Sequence, residues 1–181
     1  ASGTRRVAVH CEDEDRLNER KALAVDDVAS HAVWRDEETA LRATTRLIRL
    51  AREVGRRVHV LHVTTAQEIA FLSQHKDLAT VEVTPQHLTL AAPDCYDQLG
   101  SLAQMNPPIR GSEHRAALWR GVADGVVDVV GSDHAPHTLD EKAQPYPASP
   151  SGTPGVQTLL PIPSPHVFTA RPRLLPVPHL P

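Results

Sequence analysis

Apolar positions along the chain follow two alternating periods. Residues 5–12, Arg-Arg-Val-Ala-Val-His-Cys-Glu, read as a short strand with His10 at its end. Residues 12–19 are acidic and polar, a loop or a short helix start, and residues 21–34 carry no clear period and read as loop with at most a turn of helix. Asp36-Glu37-Glu38 then opens a helix, because acids in a first turn suit the positive end of the helix dipole. Ala40, Leu41, Thr44, Leu47, Ile48, Ala51 and Val54 recur at three- and four-residue spacing and form its buried stripe. Arg42, Arg46, Arg49 and Arg52 fall on other faces as a solvated surface, and Gly55 supplies the C-terminal cap.

Residues 57–63, Arg-Val-His-Val-Leu-His-Val, alternate as a second strand. Val58, Val60 and His62 are expected on one face, and His59 on the other as a surface or helix-facing residue. Thr65-Ala66-Gln67-Glu68 fits a capping box and starts a helix to about Gln74. A third strand over 78–83 ends at Thr84-Pro85-Gln86-His87, and a short extended segment is expected over 101–106. Ser112 is expected to cap a helix over 113–123, after which Val126–Val130 leads into Gly131-Ser132-Asp133-His134-Ala135-Pro136-His137. Strand and helix alternate without a hairpin signal, which argues for parallel βα units. Pro145-Tyr146-Pro147 and residues 149–155 form a turn-rich loop. Residues 1–160 are thus expected to form one α/β domain, and the proline-rich stretch 161–181 an irregular tail.

Composition narrows the function. The 181 residues suffice for one domain but fall short of the roughly 250 typical of a complete (β/α)8 barrel. A formal net charge of −3 suggests no nucleic-acid or anionic-membrane surface. No apolar run approaches the ~18 residues that cross a bilayer, and the first residues lack a signal core. Two cysteines, Cys11 and Cys95, make no disulfide framework. A cytoplasmic soluble protein is the expectation. The first residue is Ala, which hints at processing or a fragment, and eleven histidines make metal chemistry worth testing.

That chemistry gathers where strands end. Taken alone, residues 131–137 could be a loop with a capping aspartate and two solvated histidines. His10, His62 and Asp133, however, each close an expected parallel strand, and such strands present their C-terminal ends on one face, where α/β barrels keep active sites. Two imidazoles and a carboxylate there make a plausible zinc-ligand set.

Val9-His10-Cys11-Glu12-Asp13, Leu61-His62-Val63-Thr64-Thr65, Val83-Thr84-Pro85-Gln86-His87, Met105-Asn106-Pro107-Pro108 and Ser132-Asp133-His134-Ala135-Pro136-His137 occur in that order. With Asp140-Glu141-Lys142 and the Ser151-Gly152 loop, they resemble the C-terminal half of a dihydroorotase, one of the metal-dependent amidohydrolases, over residues 5 to about 161. The resemblance implies a partial TIM-type barrel, roughly its strands five to eight. It implies that His10 and His62 bind the second zinc of a binuclear centre, and that Asp133 binds the first and shuttles protons. It places Asn106 and His137 on the substrate's polar atoms and Ser151-Gly152 beside the substrate, and gives His87 a supporting rather than a ligating role. The implied reaction is reversible hydrolysis of dihydroorotate to N-carbamoyl-aspartate in pyrimidine biosynthesis. The family's first-strand histidine pair and bridging ligand have no counterpart in these residues, so the polypeptide alone is expected to be a weak or inactive enzyme. Rival readings are an allantoinase- or dihydropyrimidinase-like amidohydrolase, a non-catalytic scaffold subunit for aspartate carbamoyltransferase, and a remnant with no function of its own. A homo-oligomer is the other assembly that the family suggests.

Overall fold

The computed structural model describes residues 5–161, so the tail expected over 161–181 lies, save for Pro161, outside the described residues. Four parallel strands run in sequence order: β1 (Val7–Val9), β2 (Val58–Val60), β3 (Ala79–Val83) and β4 (Val129–Val130). Val9 pairs with Val60 and Val60 with Val81, while Val83 pairs with Val130. Each strand end therefore stands beside the next, which is what the expected βα alternation requires.

Helices fill the crossovers. α1 (Glu14–Arg20) takes the short-helix alternative offered for residues 12–19, and α2 (Ser30–Trp34) adds a short helix to the stretch 21–34, expected to be loop with at most a turn of helix. Asp13 caps α1 through the backbone N–H of Arg16, and α2 is held by a side-chain network that no local period announces. The long helix α3 (Glu37–Glu53) begins at Asp36, whose carboxylate accepts from the Thr39 N–H, and is followed by Gly55 at φ +62°. α4 (Ala66–Ser73) carries the full capping box between Thr65 and Glu68. α5 (Pro85–Thr89), α6 (Asp94–Leu99), α7 (Ser112–Ala123) and α8 (Leu139–Lys142) follow.

Val58, Val60, Val81 and Val83 pack with Ile48, Ala51, Leu72 and Leu118 into the main core, so α3, α4 and α7 cover one face of the sheet. Leu72 is fully buried in that core. Leu72→Ala is expected to cost roughly 3 kcal/mol, read as a lower urea midpoint with unchanged slope.

Several local expectations are corrected. The segment 101–106 is not extended: residues Gly100–Ala103 form a 3-10 turn. Gly111, not Ser112, occupies the cap position of α7. His59 does not face the helices. Its ring meets Thr80 Oγ1 at 2.8 Å and Glu82 Oε2 at 3.1 Å on the opposite face of the sheet. His62 leaves the alternation it was expected to continue, because β2 ends at Val60 and the backbone turns to φ +33° at His62.

Candidate functional site

The turn at His62 brings two histidines together. His10 follows β1 and His62 follows β2, and His10 Nδ1 lies 3.0 Å from His62 Nε2 with the rings edge to face. The backbone joins the same ends, since Leu61 N–H donates to the Val9 carbonyl at 3.1 Å. His62 is buried, and its Nδ1 has no hydrogen-bond partner among the described residues. Burial first, then the neighbouring His10, lower its pKa, while the charge of Asp133 opposes them. The ring is held neutral, the form that offers a lone pair to a cation.

His10 is oriented from behind. Its Nε2 stands 3.0 Å from Glu12 Oε2, a carboxylate that is almost wholly buried and that also receives two bonds from Arg35, at 3.1 and 2.5 Å. Burial raises the Glu12 carboxyl, but the hydrogen bonds from His10 and Arg35 outweigh it and hold it at about 2. A carboxylate on one imidazole nitrogen directs the other nitrogen outward as a lone pair. Here the outward nitrogen is Nδ1, the one facing His62.

Asp133 follows β4 at φ +42°, on the same edge of the sheet, but does not close up with the pair. Among the described residues no group of three His, Cys, Asp or Glu side chains is near enough together to hold a metal ion. Of the three expected ligands the structure thus joins His10 and His62, and Asp133 reaches them through its charge.

His87, expected to support rather than to ligate, is bonded at both ring nitrogens. Its Nδ1 meets the Thr84 hydroxyl at 2.7 Å and its Nε2 meets the Pro107 carbonyl at 3.0 Å. Burial pushes this ring down to about 3, so it is a neutral strut between the end of β3 and the Asn106-Pro107 segment.

The expected substrate-facing residues gather nearby. Asn106 and Ser151 line one cavity of about 430 Å³. His137 Nε2 donates to the Ser151 carbonyl at 3.2 Å. Gly152 sits at φ +139°, and a Cβ there would meet the Ala135 carbonyl oxygen at 2.6 Å and His137 Nε2 at 3.1 Å. Only glycine lets the loop approach the Asp133–His137 segment this closely. The Lys142 ammonium, buried and without a carboxylate partner among the described residues, donates to the carbonyls of Gln104, Pro150 and Gly152 at 2.9–3.1 Å. Glu12, His31, Arg35, Tyr146 and Lys142 were not singled out from the sequence. The spacing His10-Cys11-Glu12 is the one signal that could have found a member of this group, because an acid two residues past a ligand can turn back on it.

No family model matches the chain. A dihydroorotase from Halobacterium salinarum is 40% identical over 156 residues, covering 86% of this chain and 36% of its own. A dihydroorotase from Methanosarcina mazei is 36% identical over 167 residues, again covering 86% of this chain and 36% of its own. The crystal structure of a dihydropyrimidinase from Brevibacillus agri superposes with a TM-score of 0.81 at 25% identity, over 88% of this chain and 38% of that one. The fold defines the class: a partial (β/α) barrel like those of the amidohydrolases that superpose on it. Within that class the sequence is of the dihydroorotase kind, and the chain spans little more than a third of the length of the curated relatives it matches.

Proposed function

We propose that this chain carries part of a zinc-dependent cyclic amidohydrolase that interconverts dihydroorotate and N-carbamoyl-aspartate in pyrimidine biosynthesis. The observation that carries the reading is the 3.0 Å approach of His10 Nδ1 to His62 Nε2 at adjoining parallel strand ends. His10 Nε2 is held by Glu12 and His10 Nδ1 faces His62 Nε2, so these two facing nitrogens are the pair placed to share a cation. Two imidazoles and a nearby carboxylate fit part of a zinc-ligand set, with His10, His62 and Asp133 as the residues that would hold it. When bound, zinc polarises a carbonyl and makes a water molecule more acidic.

The remaining work falls to side chains of this chain. Asp133 accepts the proton of the attacking water and returns it to the leaving ring nitrogen, so that water is added across the cyclic C–N bond. Asn106 and His137 orient the ring, and Ser151-Gly152 closes against it. The setting is cytoplasmic, in a homo-oligomer or beside an aspartate carbamoyltransferase. No helix among the described residues is long and apolar enough to cross a membrane.

A second reading, a dihydropyrimidinase- or hydantoinase-like specificity, is favoured by the solved structures that superpose on the chain. Two measurements on the purified 181-residue polypeptide test both. Elemental analysis is expected to find near-stoichiometric zinc that falls in Asp133→Ala, and titration is expected to show dihydroorotate bound in preference to dihydrouracil, hydantoin and allantoin. Absence of zinc from both proteins would overturn the metal assignment. Preference for dihydrouracil or hydantoin would move the chain to the second reading.

A further inference from the structure

The cavity beside Asn106 has a wall built from residues that the proposed reaction does not use. His31 lies in α2, Trp34 ends α2, and Tyr146 comes from the turn-rich loop; all three line the cavity with Asn106 and Ser151. They are joined by hydrogen bonds. Trp34 Nε1 lies 2.6 Å from Tyr146 Oη, Tyr146 Oη lies 3.2 Å from His31 Nδ1, and His31 Nε2 lies 3.0 Å from the Met105 carbonyl and 2.9 Å from Asn106 Oδ1.

The two ends of this row have fixed chemistry. An indole N–H only donates and a backbone carbonyl only accepts. The Trp34 N–H must therefore give its proton to the Tyr146 oxygen, and the Met105 carbonyl must receive one from His31. That leaves His31 protonated on Nε2. Its Nδ1 is then an acceptor, which the Tyr146 hydroxyl proton satisfies. The reverse arrangement would set a His31 lone pair against the Met105 lone pairs at 3.0 Å. Burial first, and then the charge of Arg35, push His31 down to about 4, so the ring holds a single proton near neutrality.

From this row of donors and acceptors we infer that Trp34, Tyr146 and His31 are positioning residues that fix the Asn106 amide with its oxygen inward and its N–H groups towards the cavity. A flipped Asn106 would place its amide N–H groups against the His31 N–H, donor facing donor. The Asn106 nitrogen has no partner among the described residues. It is presented as a hydrogen-bond donor, which selects a ligand bearing a carbonyl or carboxylate oxygen at that point and disfavours one that presents an N–H there. This deepens the proposed function and rests on it for the identity of the ligand, but the orientation stands on the hydrogen bonds alone.

The test uses the full 181-residue chain labelled with nitrogen-15. In the unsubstituted protein, histidine side-chain spectra at pH 7 are expected to show His31 in the Nε2–H form. Tyr146→Phe removes the donor to Nδ1, and Trp34→Phe removes the proton that orients the tyrosine. Both are expected to shift the His31 ring nitrogens and, through them, the Asn106 side-chain amide resonances. An Nδ1–H form of His31, or Asn106 resonances that do not move in either variant, would overturn the inference. Dihydroorotate titration then separates this inference from the functional reading. Tyr146→Phe is expected to weaken binding about fivefold, but to add nothing in an Asn106→Ala background. Full additivity in that cycle would show that Tyr146 acts on folding rather than through Asn106, and would overturn the positioning role. An unsubstituted chain that keeps His31 as Nε2–H yet binds no dihydroorotate would overturn the functional reading, while upholding the orientation.

Discussion

The chain is expected to lose several kcal/mol of stability between pH 7 and pH 4, as buried imidazoles are driven to take up protons. Two buried imidazoles set the sign, joined by His62 and opposed by the buried Glu68 carboxyl, which burial raises. His31 is lowered from 6.5 to about 4 and His87 from 6.5 to about 3, in each case chiefly by burial. Between the folded and unfolded values the unfolded chain binds a proton that the folded chain refuses, so stability rises with pH across that window. The contribution is whole above about 6.5 and drains away as pH falls towards the folded values. For His31 alone the shift corresponds to roughly 3 kcal/mol. Glu12 acts with the same sign in a lower window: its lowered pKa stabilises the fold above its ordinary value of 4.5, and that contribution fails only between there and about 2. Urea midpoints at pH 7, 6, 5 and 4 check this. The expected result is a steady fall from pH 6.5, made shallower by His87→Gln. A midpoint unchanged from pH 7 to pH 5 would mean that both rings take up protons without losing their partners.

These two histidines also mark the limits of sequence reading. The strands were legible because valine alternates, and the long helices because apolar residues recur at helical spacing between Asp36 and Gly55 and after Thr65. His87 was given a supporting role only through the family resemblance of its Thr84-Pro85-Gln86-His87 segment, not through any local pattern. His31 was not found, since its neighbours carry no period and its partners, Met105, Asn106 and Tyr146, lie more than seventy residues away. Burial of that kind is decided by long-range packing, on which local periodicity is silent.

The site was legible to the same extent. His10 and His62 meet because parallel register sets Val9 beside Val60, a consequence of the βα alternation seen in the sequence. The left-handed turn at His62 was not visible, because alternation extrapolated two residues past the end of β2 assigns the side chain to the wrong face. Asp133 shows the same limit. It closes β4, two strands from His62 in the sheet order, and nothing in a strand pattern specifies how far its side chain reaches inward.

Glu12→Gln is expected to weaken zinc binding 10–100-fold and to cost roughly 3 kcal/mol of stability, two effects with separate causes. The stability loss comes from Arg35. Its guanidinium is mostly buried, lies 4.8 Å from the centre of the Trp34 ring, and has the Glu12 carboxylate as its ion-pair partner. Glutamine removes that charge and leaves a desolvated cation. The loss in affinity comes from His10. The carboxylate accepts from His10 Nε2 and from Arg35 together, whereas an amide has one oxygen to offer to both. With the imidazole no longer fixed, Nδ1 is not held as the lone pair facing His62. Competition against a chromophoric chelator reads the affinity, urea unfolding without metal reads the stability, and circular dichroism confirms that the variant is folded. Lower stability with unchanged zinc affinity would reduce Glu12 to a partner for Arg35. A joint fall would mean that one buried carboxylate braces α2 and aims the first histidine of the pair.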